Sequence, residues 1–389
     1  MGLTFEPLGK YIHEVDVRNT DLSVTKLMGV NLSKQMMPSV ANIIGTDLSV
    51  YKIVKSRQFA CKLMSVGRDA CLPIALKIDE EPVIISSAYY SFEVNDENEM
   101  LPEYLMLCFL RPDFDRELWF RTGGDVRGGV TWEAFCNIDI PVKPIDEQRK
   151  IVREYQIIVD RIALLQKVSS TIEEIIRSAF VHLIFENEGY EDFTEFEFGK
   201  YPTVWTLKKM SEIVDVRDGT HDSPSAVANG HKLVTSVHLN PYSVNKKDAY
   251  AISDIDYKEI NKRSVVHTWD ILMSMIGTVG RLSLVTDDPV DYAIKNVALY
   301  KTSQLPHGMG LYLLSYLKSS AAEKYLSSFL AGSTQSYVSL DTLRSMPVIV
   351  PSEQALQLFI YTIEPMYQSL INFEKEKRCL EAIASKICP

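Results

Sequence analysis

Residues Pro144–Phe185 read PIDEQRKIVREYQIIVDRIALLQKVSSTIEEIIRSAFVHLIF. Apolar side chains recur at Ile151, Tyr155, Ile158, Ile162, Leu165, Ile172, Ile176, Ala179 and Leu183, with Ser169 the one polar break. The steps alternate between three and four residues. A repeat averaging ~3.5 gathers all of these side chains on one seam of a helix that expects a coiled-coil partner. Pro144 suits a first turn, where its missing N–H has no intrahelical acceptor. Asp146 and Glu147 complement the helix dipole there. A helix of roughly 38 residues is about 57 Å long, more than an ordinary globular helix needs. It reads as a spacer.

The chain contains such a stretch twice. Pro351–Lys386, PSEQALQLFIYTIEPMYQSLINFEKEKRCLEAIASK, opens with Pro351-Ser-Glu-Gln354 as the first opens with Pro144-Ile-Asp-Glu-Gln148. Its stripe runs through Leu356, Ile360, Ile363, Tyr367, Leu370 and Leu380, interrupted by Glu374 and Lys377. Pro365 lies inside it and is expected to kink it. The run Glu374–Arg378 reads as a solvated face.

Other words repeat in the same order. Val15-Asp-Val-Arg18 recurs as Val214-Asp-Val-Arg217, each after a short helical pattern. Leu63-Met-Ser65 recurs as Leu272-Met-Ser274, each soon followed by glycine and arginine, and Pro141-Val142 matches Pro347-Val348. An offset held near ~200 residues across several words marks an internal duplication. Each copy reads as mixed α/β. Candidate strands are Pro82–Ser86, Lys232–Ser236 and Asn296–Tyr300; candidate helices are Pro102–Leu110 and Met309–Leu330. Glycine- and serine-rich loops follow at Thr122–Gly129 and Ala331–Ser336. Short segments Trp132–Asn137 and Ser339–Ser345 then lead to the two long helices.

The expected domains are thus a globular head over 1–143, a long helix over 144–185 and an acidic linker over 186–200. A second head over 201–350 and a second long helix over 351–389 follow. Two such helices economically form an antiparallel coiled coil with one α/β (α+β) head at each end, related by a pseudo-twofold axis. Paired heads at a fixed separation suit a target with its own twofold-related strands, such as DNA with its ~34 Å turn.

Composition limits the function classes. The 389 residues are 46% hydrophobic and 24% charged, which describes a protein able to bury more than one core. No apolar run reaches the ~20 residues of a membrane span, and the N-terminal stretch is too polar for a signal peptide. Cys61, Cys71, Cys108, Cys136, Cys379 and Cys388 form no CxxC pair and read as reduced packing residues of a cytoplasmic protein. The net charge of −10 disfavours tight DNA binding by the chain alone. The acidic excess falls on the first head and first long helix, which are suited to a basic partner.

The combination resembles the specificity (S) subunit of type I restriction-modification systems. The residues that carry this are Pro144-Ile-Asp-Glu-Gln148, Pro351-Ser-Glu-Gln354, and Val216-Arg-Asp-Gly-Thr-His-Asp-Ser-Pro224 followed by Gly230–Ser236. The first copy departs: Asn19-Thr-Asp21 follows Val15–Arg18 where the second copy has Asp218-Gly-Thr-His221. Two heads of different subtype, reading different half-sites, are what this implies. The resemblance further implies a non-catalytic subunit that binds a bipartite double-stranded DNA target. It would dock two methyltransferase (M) subunits on its helices, with restriction (R) subunits as a further partner. S-adenosylmethionine and ATP would be held by those partners, leaving this chain without a cofactor. Independently, the chain has no phosphate loop and no Asn/Asp-Pro-Pro-aromatic methylation tetrad. A stand-alone DNA-modifying enzyme and a two-headed protein scaffold are the competing readings.

Candidate contact residues follow from chemistry. Arg127 in the first glycine-rich loop, and Gln335 and Tyr337 in the second, are candidates for base reading, because arginine can bridge two guanine acceptors and glutamine can bridge adenine. Lys52, Lys55, Arg57, Lys246 and Lys247 are candidates for phosphate contacts that position without specifying. Arg68 and Arg281, after the repeated Leu-Met-Ser, read as shared backbone or phosphate contacts. His221 is either a turn-forming residue or a DNA contact. The spacing of His221, His231 and His238 fits no metal site. Ile151, Tyr155, Ile158, Ile162 and Leu165, with Ile363, Tyr367 and Leu370, are assigned to the helix–helix core.

Overall fold

A computed structural model describes the chain except residues 1–3, 41–44, 124–127, 186–189, 307 and 331–336, and the side chains of 184 and 185. Contacts divide it into two units. The first comprises Met1–Ala163 with Cys379–Pro389, the second Leu164–Arg378. Each unit therefore owns a head and a piece of both long helices, a division that cuts across the sequential domain boundaries expected from sequence.

The two heads share a frame. In the first, a four-stranded antiparallel sheet has the spatial order Ile12–Glu14, Tyr90–Val94, Phe59–Cys61, Ile74–Leu76. In the second the order is Val216–Asp218, Val297–Tyr300, Ile271–Ser274, Leu282–Leu284, again antiparallel throughout. An edge pair closes each head where its first strand meets its last: Thr4–Pro7 with Asp139–Val142, and Thr206–Lys209 with Pro347–Val350. The likeness extends to single hydrogen bonds. Thr131 caps helix Trp132–Cys136 through the Ala134 amide, as Ser339 caps Leu340–Ser345 through Thr342. Tyr104 donates to the carbonyl of Pro141 and Tyr312 to that of Ile349. All four pairs stand at one and the same sequence offset, which places the duplication in atomic contacts as well as in words.

Aromatic side chains fill the first core. Phe59 and Phe92 stack at 4.7 Å, and Phe109, Phe114 and Phe135 close around them edge-on or tilted. In the second, Tyr300, Tyr312 and Tyr316 are buried together with Ile176, Phe180 and Leu183 of the first long helix and Phe359, Ile363, Tyr367 and Leu370 of the second.

The first long helix spans Ile145–Phe185, 41 residues. Its N-cap is Pro144, whose carbonyl accepts from the Gln148 amide, so the proline stands one place earlier than a first-turn position. Every stripe position from Ile151 to Leu183 is buried or half-buried, whereas Ile157, Leu164, Val168 and Ile175, off the stripe, are exposed. The second spans Glu353–Ile387 and continues across Pro365. Within the second unit the two helices run antiparallel: Phe180 packs on Phe359 at 5.6 Å, while Glu173 and Tyr367 both meet Tyr242. In the first unit Tyr155, half-buried, lies within electrostatic reach of Cys388 from the end of the second helix.

Several expectations need correction. The patterns before the repeated Val-Asp-Val-Arg are not helices but single 3-10 turns, Leu8–Lys10 and Met210–Glu212, flanked by strand. Leu63–Ser65 is a 3-10 turn, whereas Leu272–Ser274 lies in a strand, so the shared word takes two conformations. Met309–Leu330 breaks into Met309–Leu317 and Ser320–Leu330. The linker is structured in part, as hairpin Phe193–Phe196/Gly199–Pro202. In Glu374–Arg378, Glu374 and Lys377 are largely covered, their side chains 13% and 27% exposed. Glu374 accepts from the Ser243 hydroxyl, which a solvated face does not explain.

Candidate nucleic-acid interface

The stretch Asp218–Pro224 of the second head forms a loop held from both sides. Gly219 is required at its root, since a Cβ there would lie 2.2 Å from the Ile294 carbonyl oxygen. Backbone bonds from Gly219 to Val297, from Thr220 to Ile294 and from Asn296 to Thr220 fasten the root to the sheet. Asn296 takes a left-handed φ of 53°, a conformation asparagine tolerates better than most side chains. His221 Nε2 donates to Asp218 at 2.9 Å, and Nδ1 meets the Asn296 amide at 2.8 Å. Asp218, its side chain 10% exposed, also takes Arg263 at 2.9 Å. Farther along, Lys295 donates to Ser223. Together these contacts aim Thr220, His221, Asp222 and Ser223 into an open groove of about 630 Å³, whose other wall is helix Asp254–Ser264 with Asp256, Glu259, Lys262 and Arg263. The groove mixes both signs of charge with hydroxyls, a composition suited to hydrogen bonding with base edges and phosphates alike.

The first head solves the same position differently. Asn19, only 1% exposed, bonds both the amide and the carbonyl of Val24, and its own backbone amide donates to the Tyr51 carbonyl. A compact asparagine turn replaces the histidine loop. The Asp-to-Arg pair itself recurs at different places on the strand: Arg18 pairs with Asp16 at 2.6 Å just past strand Ile12–Glu14, and Arg217 with Asp215 at 2.8 Å at the start of strand Val216–Asp218.

Most cations expected to be free for phosphate are committed within the heads. Lys52 is buried, pairs with Glu14 at 3.2 Å and lies over the Tyr90 ring; it cannot serve as a phosphate contact. Arg57 bridges Glu97 at 2.5 Å and Glu103 at 2.7 Å, and the two carboxylates raise its guanidinium well above the ordinary value. Lys246 pairs with Asp291 at 2.6 Å. Arg68 is two-thirds exposed but chelates Asp69. Lys55 and Lys247 are exposed, as is Arg281, whose backbone is tied to Ser274. Tyr337 is 46% exposed and bridges Ile276. Arg127 and Gln335 lie outside the described residues. The repeated glutamine also diverges. Gln148 is fully buried and bonds Glu99, Leu101 and Lys143, whereas Gln354 is exposed.

The three histidines do not converge. His231 stacks on Tyr257 at 3.7 Å, and His238 bonds Thr235. Among the described residues no three His, Cys, Asp or Glu side chains form a ligand set, and no helix is long and apolar enough to cross a membrane.

No family model matches the chain. Curated relatives do. It is 23% identical over 275 residues to the type I restriction enzyme MjaVIII specificity subunit of Methanocaldococcus jannaschii, covering 66% of this chain and 62% of the relative. It is 20% identical over 305 residues to the MjaIX specificity subunit of the same organism, covering 75% and 68%. The chain is a homologue of type I specificity subunits. The crystal structure of the type I restriction-modification S subunit from M. genitalium shares the fold over 100% of this chain and 95% of that one, with a TM-score of 0.52 and 11% identity. The match to the first of the two relatives spans less than two thirds of that relative's length. In this specificity-subunit homologue, Asp218, Arg263 and Asn296 are the loop-setting residues that sequence reading did not single out. Asp218 was signalled by its place in the Asp-Gly-Thr-His word. Arg263 and Asn296 come from distant segments and carried no local signal.

Proposed function

We propose that this chain is the non-catalytic DNA-recognition subunit of a type I restriction-modification complex, reading a bipartite double-stranded target with one head per half-site. The observation that carries the reading is the pair of heads. They repeat one sheet order and one set of capping and tyrosine hydrogen bonds, yet place an asparagine turn in one and a histidine loop in the other at the same position. A duplicated frame with unlike loops is what a reader of two different half-sites requires. The long helices dock methyltransferase subunits, and restriction subunits join that complex. Support comes from the first helix, where Leu164, Val168 and Ile175 are exposed at coiled-coil spacing on a face turned away from its own core. S-adenosylmethionine and ATP belong to the partner subunits in this reading. Within the heads, Lys55, Lys247 and Arg281 are the exposed cations assigned to phosphate, and Tyr337 with the Thr220–Ser223 loop is assigned to the bases.

The test is a map of modified adenines in cells that express the chain with a cognate methyltransferase, against cells lacking only the chain. A gapped two-part motif present with the chain and lost without it is expected. Modification that persists unchanged without the chain would overturn the reading in favour of a protein scaffold.

A further inference from the structure

The turn Pro241–Ser243 of the second head reaches both long helices at once. It joins strands Leu239–Asn240 and Ser243–Val244, and all its contacts lie within the second unit. Its three carbonyls are bound to the head: Pro241 accepts from the Leu284 amide at 2.9 Å, Tyr242 from Thr286 at 2.8 Å and Ser243 from Ser283 at 3.2 Å. Its side chains point the other way. The Tyr242 hydroxyl donates to Glu173 of the first long helix at 2.6 Å, and its ring meets Tyr367 of the second edge-on at 6.3 Å. Ser243 donates to Glu374 of the second helix at 2.9 Å. Lys318 completes the cluster, 2.9 Å from Glu173 and 3.0 Å from the tyrosine oxygen.

Both carboxylates stand on or beside helix faces that otherwise carry core. An apolar side chain would pack there without direction; a charged acceptor with a short bond fixes where its donor must stand. The turn is rigid with the head by its carbonyls and directional toward the helices by its hydroxyls. A head held by packing alone can rock on its helices. One held by two such bonds, on two different helices, cannot rotate without breaking one of them.

We propose that Tyr242 and Ser243, with Glu173 and Glu374, form the joint that sets the angle of the second head on its helix pair. These are thereby positioning residues for the length of the gap between the two half-sites. This inference rests on the proposed function above. Because successive base pairs lie ~3.4 Å apart, a head released by that distance meets its half-site one base pair nearer or farther. The joint touches none of the loop residues assigned to base reading, so half-site identity and gap length are separable.

The experiment maps modified adenines for the complete complex carrying the wild-type chain, Tyr242→Phe, Ser243→Ala, the double variant and Ser243→Thr. For the wild type one gap length is expected. For Tyr242→Phe and Ser243→Ala, modification at sites with a gap one base pair off should rise relative to the parent site, by about fivefold for each hydrogen bond lost. Half-site sequences should stay unchanged, and Ser243→Thr, which keeps the hydroxyl, should restore the single gap. Ser243→Ala removes one small exchange of partners and stands as a test by itself if the tyrosine variants fail to fold. A single gap in Ser243→Ala at full modification would overturn the proposal, as would altered half-sites at an unchanged gap. Absence of any gapped motif in the wild type would overturn the underlying reading as well, which sets that failure apart from failure of the joint.

Discussion

Glu374 interrupts the apolar stripe of its helix and Glu173 stands half-buried beside Ile172 and Ile176 on the flank of its own, and their partners explain why they are tolerated. Burial alone would raise the Glu173 carboxyl, but Lys318, the Tyr242 hydroxyl and Arg177 together hold it below its ordinary value near 4.5. A carboxylate whose folded value is depressed contributes stability above its unfolded value and loses it as pH falls through the folded one. Glu173→Gln should therefore lower the Tm at neutral pH. The gap between wild type and variant should narrow as thermal unfolding is repeated at pH values falling below about 4.5 and on through the depressed folded value, beneath which both side chains are neutral. A constant gap from pH 7 down to the onset of acid unfolding would assign the loss to packing instead. Residue-scale contacts of this kind were the least legible in the sequence. Lys52, Arg57 and Lys246 looked available because their partners Glu14, Glu97, Glu103 and Asp291 lie 38, 40, 46 and 45 residues away. Counting charges reveals the totals but not which cation a fold neutralises. His221 was legible as a turn residue from its Gly-Thr-His-Asp setting; that Asp218 and Asn296 hold its two nitrogens was not.

At the scale of elements the periodicity carried far more. The three-four alternation of the first long helix named its covered face residue by residue, because a helix maps sequence spacing onto angle with no reference to the rest of the chain. The same mapping makes a sharp contrast on the second helix. Ile363 is fully buried on the seam and Leu358, five residues earlier, is 65% exposed. Ile363→Ala should cost about 2–5 kcal/mol by lost transfer and cavity formation. Leu358→Ala should change stability by less than about 0.5 kcal/mol. Chemical denaturation read by circular dichroism distinguishes them, and equal losses would mean that the seam is misassigned. Short elements were less legible. Leu63-Met-Ser65 and Leu272-Met-Ser274 are identical words, yet one turns and the other extends. Three residues do not fix a conformation against the pairing offered by neighbouring strands, and Leu272 and Met273 find such partners on both sides. The break between Met309–Leu317 and Ser320–Leu330 likewise falls at Lys318 and Ser319, where the chain turns to bring Lys318 onto Glu173.

For the whole molecule the duplication was legible because copied words survive where copied contacts matter, as at Asp16–Arg18 and Asp215–Arg217. The grouping into compact units was not, since each unit takes a piece of both long helices. Charge acts at this same scale. In the proposed function, a chain of net charge −10 meets in DNA a polyanion of its own sign. Phosphate binding depends on releasing condensed counterions, with log K falling by about 0.9 per phosphate neutralised for each tenfold rise in salt. Most of the cations traced in the heads are neutralised internally, so few phosphates can be engaged by this chain alone. A partner that supplies lysine and arginine should both tighten binding and steepen its salt dependence. Titrating a duplex that carries the mapped motif with the isolated chain should give weak binding, with a Kd above about 1 μM near physiological salt, and a shallow slope. The same chain assembled with the proposed methyltransferase partner should bind at least ~100-fold more tightly and lose affinity faster as salt rises. Equal slopes for the two would mean that the methyltransferase adds no phosphate contacts. Tight binding by the isolated chain would mean that the heads carry more free positive charge than their ion pairs leave them.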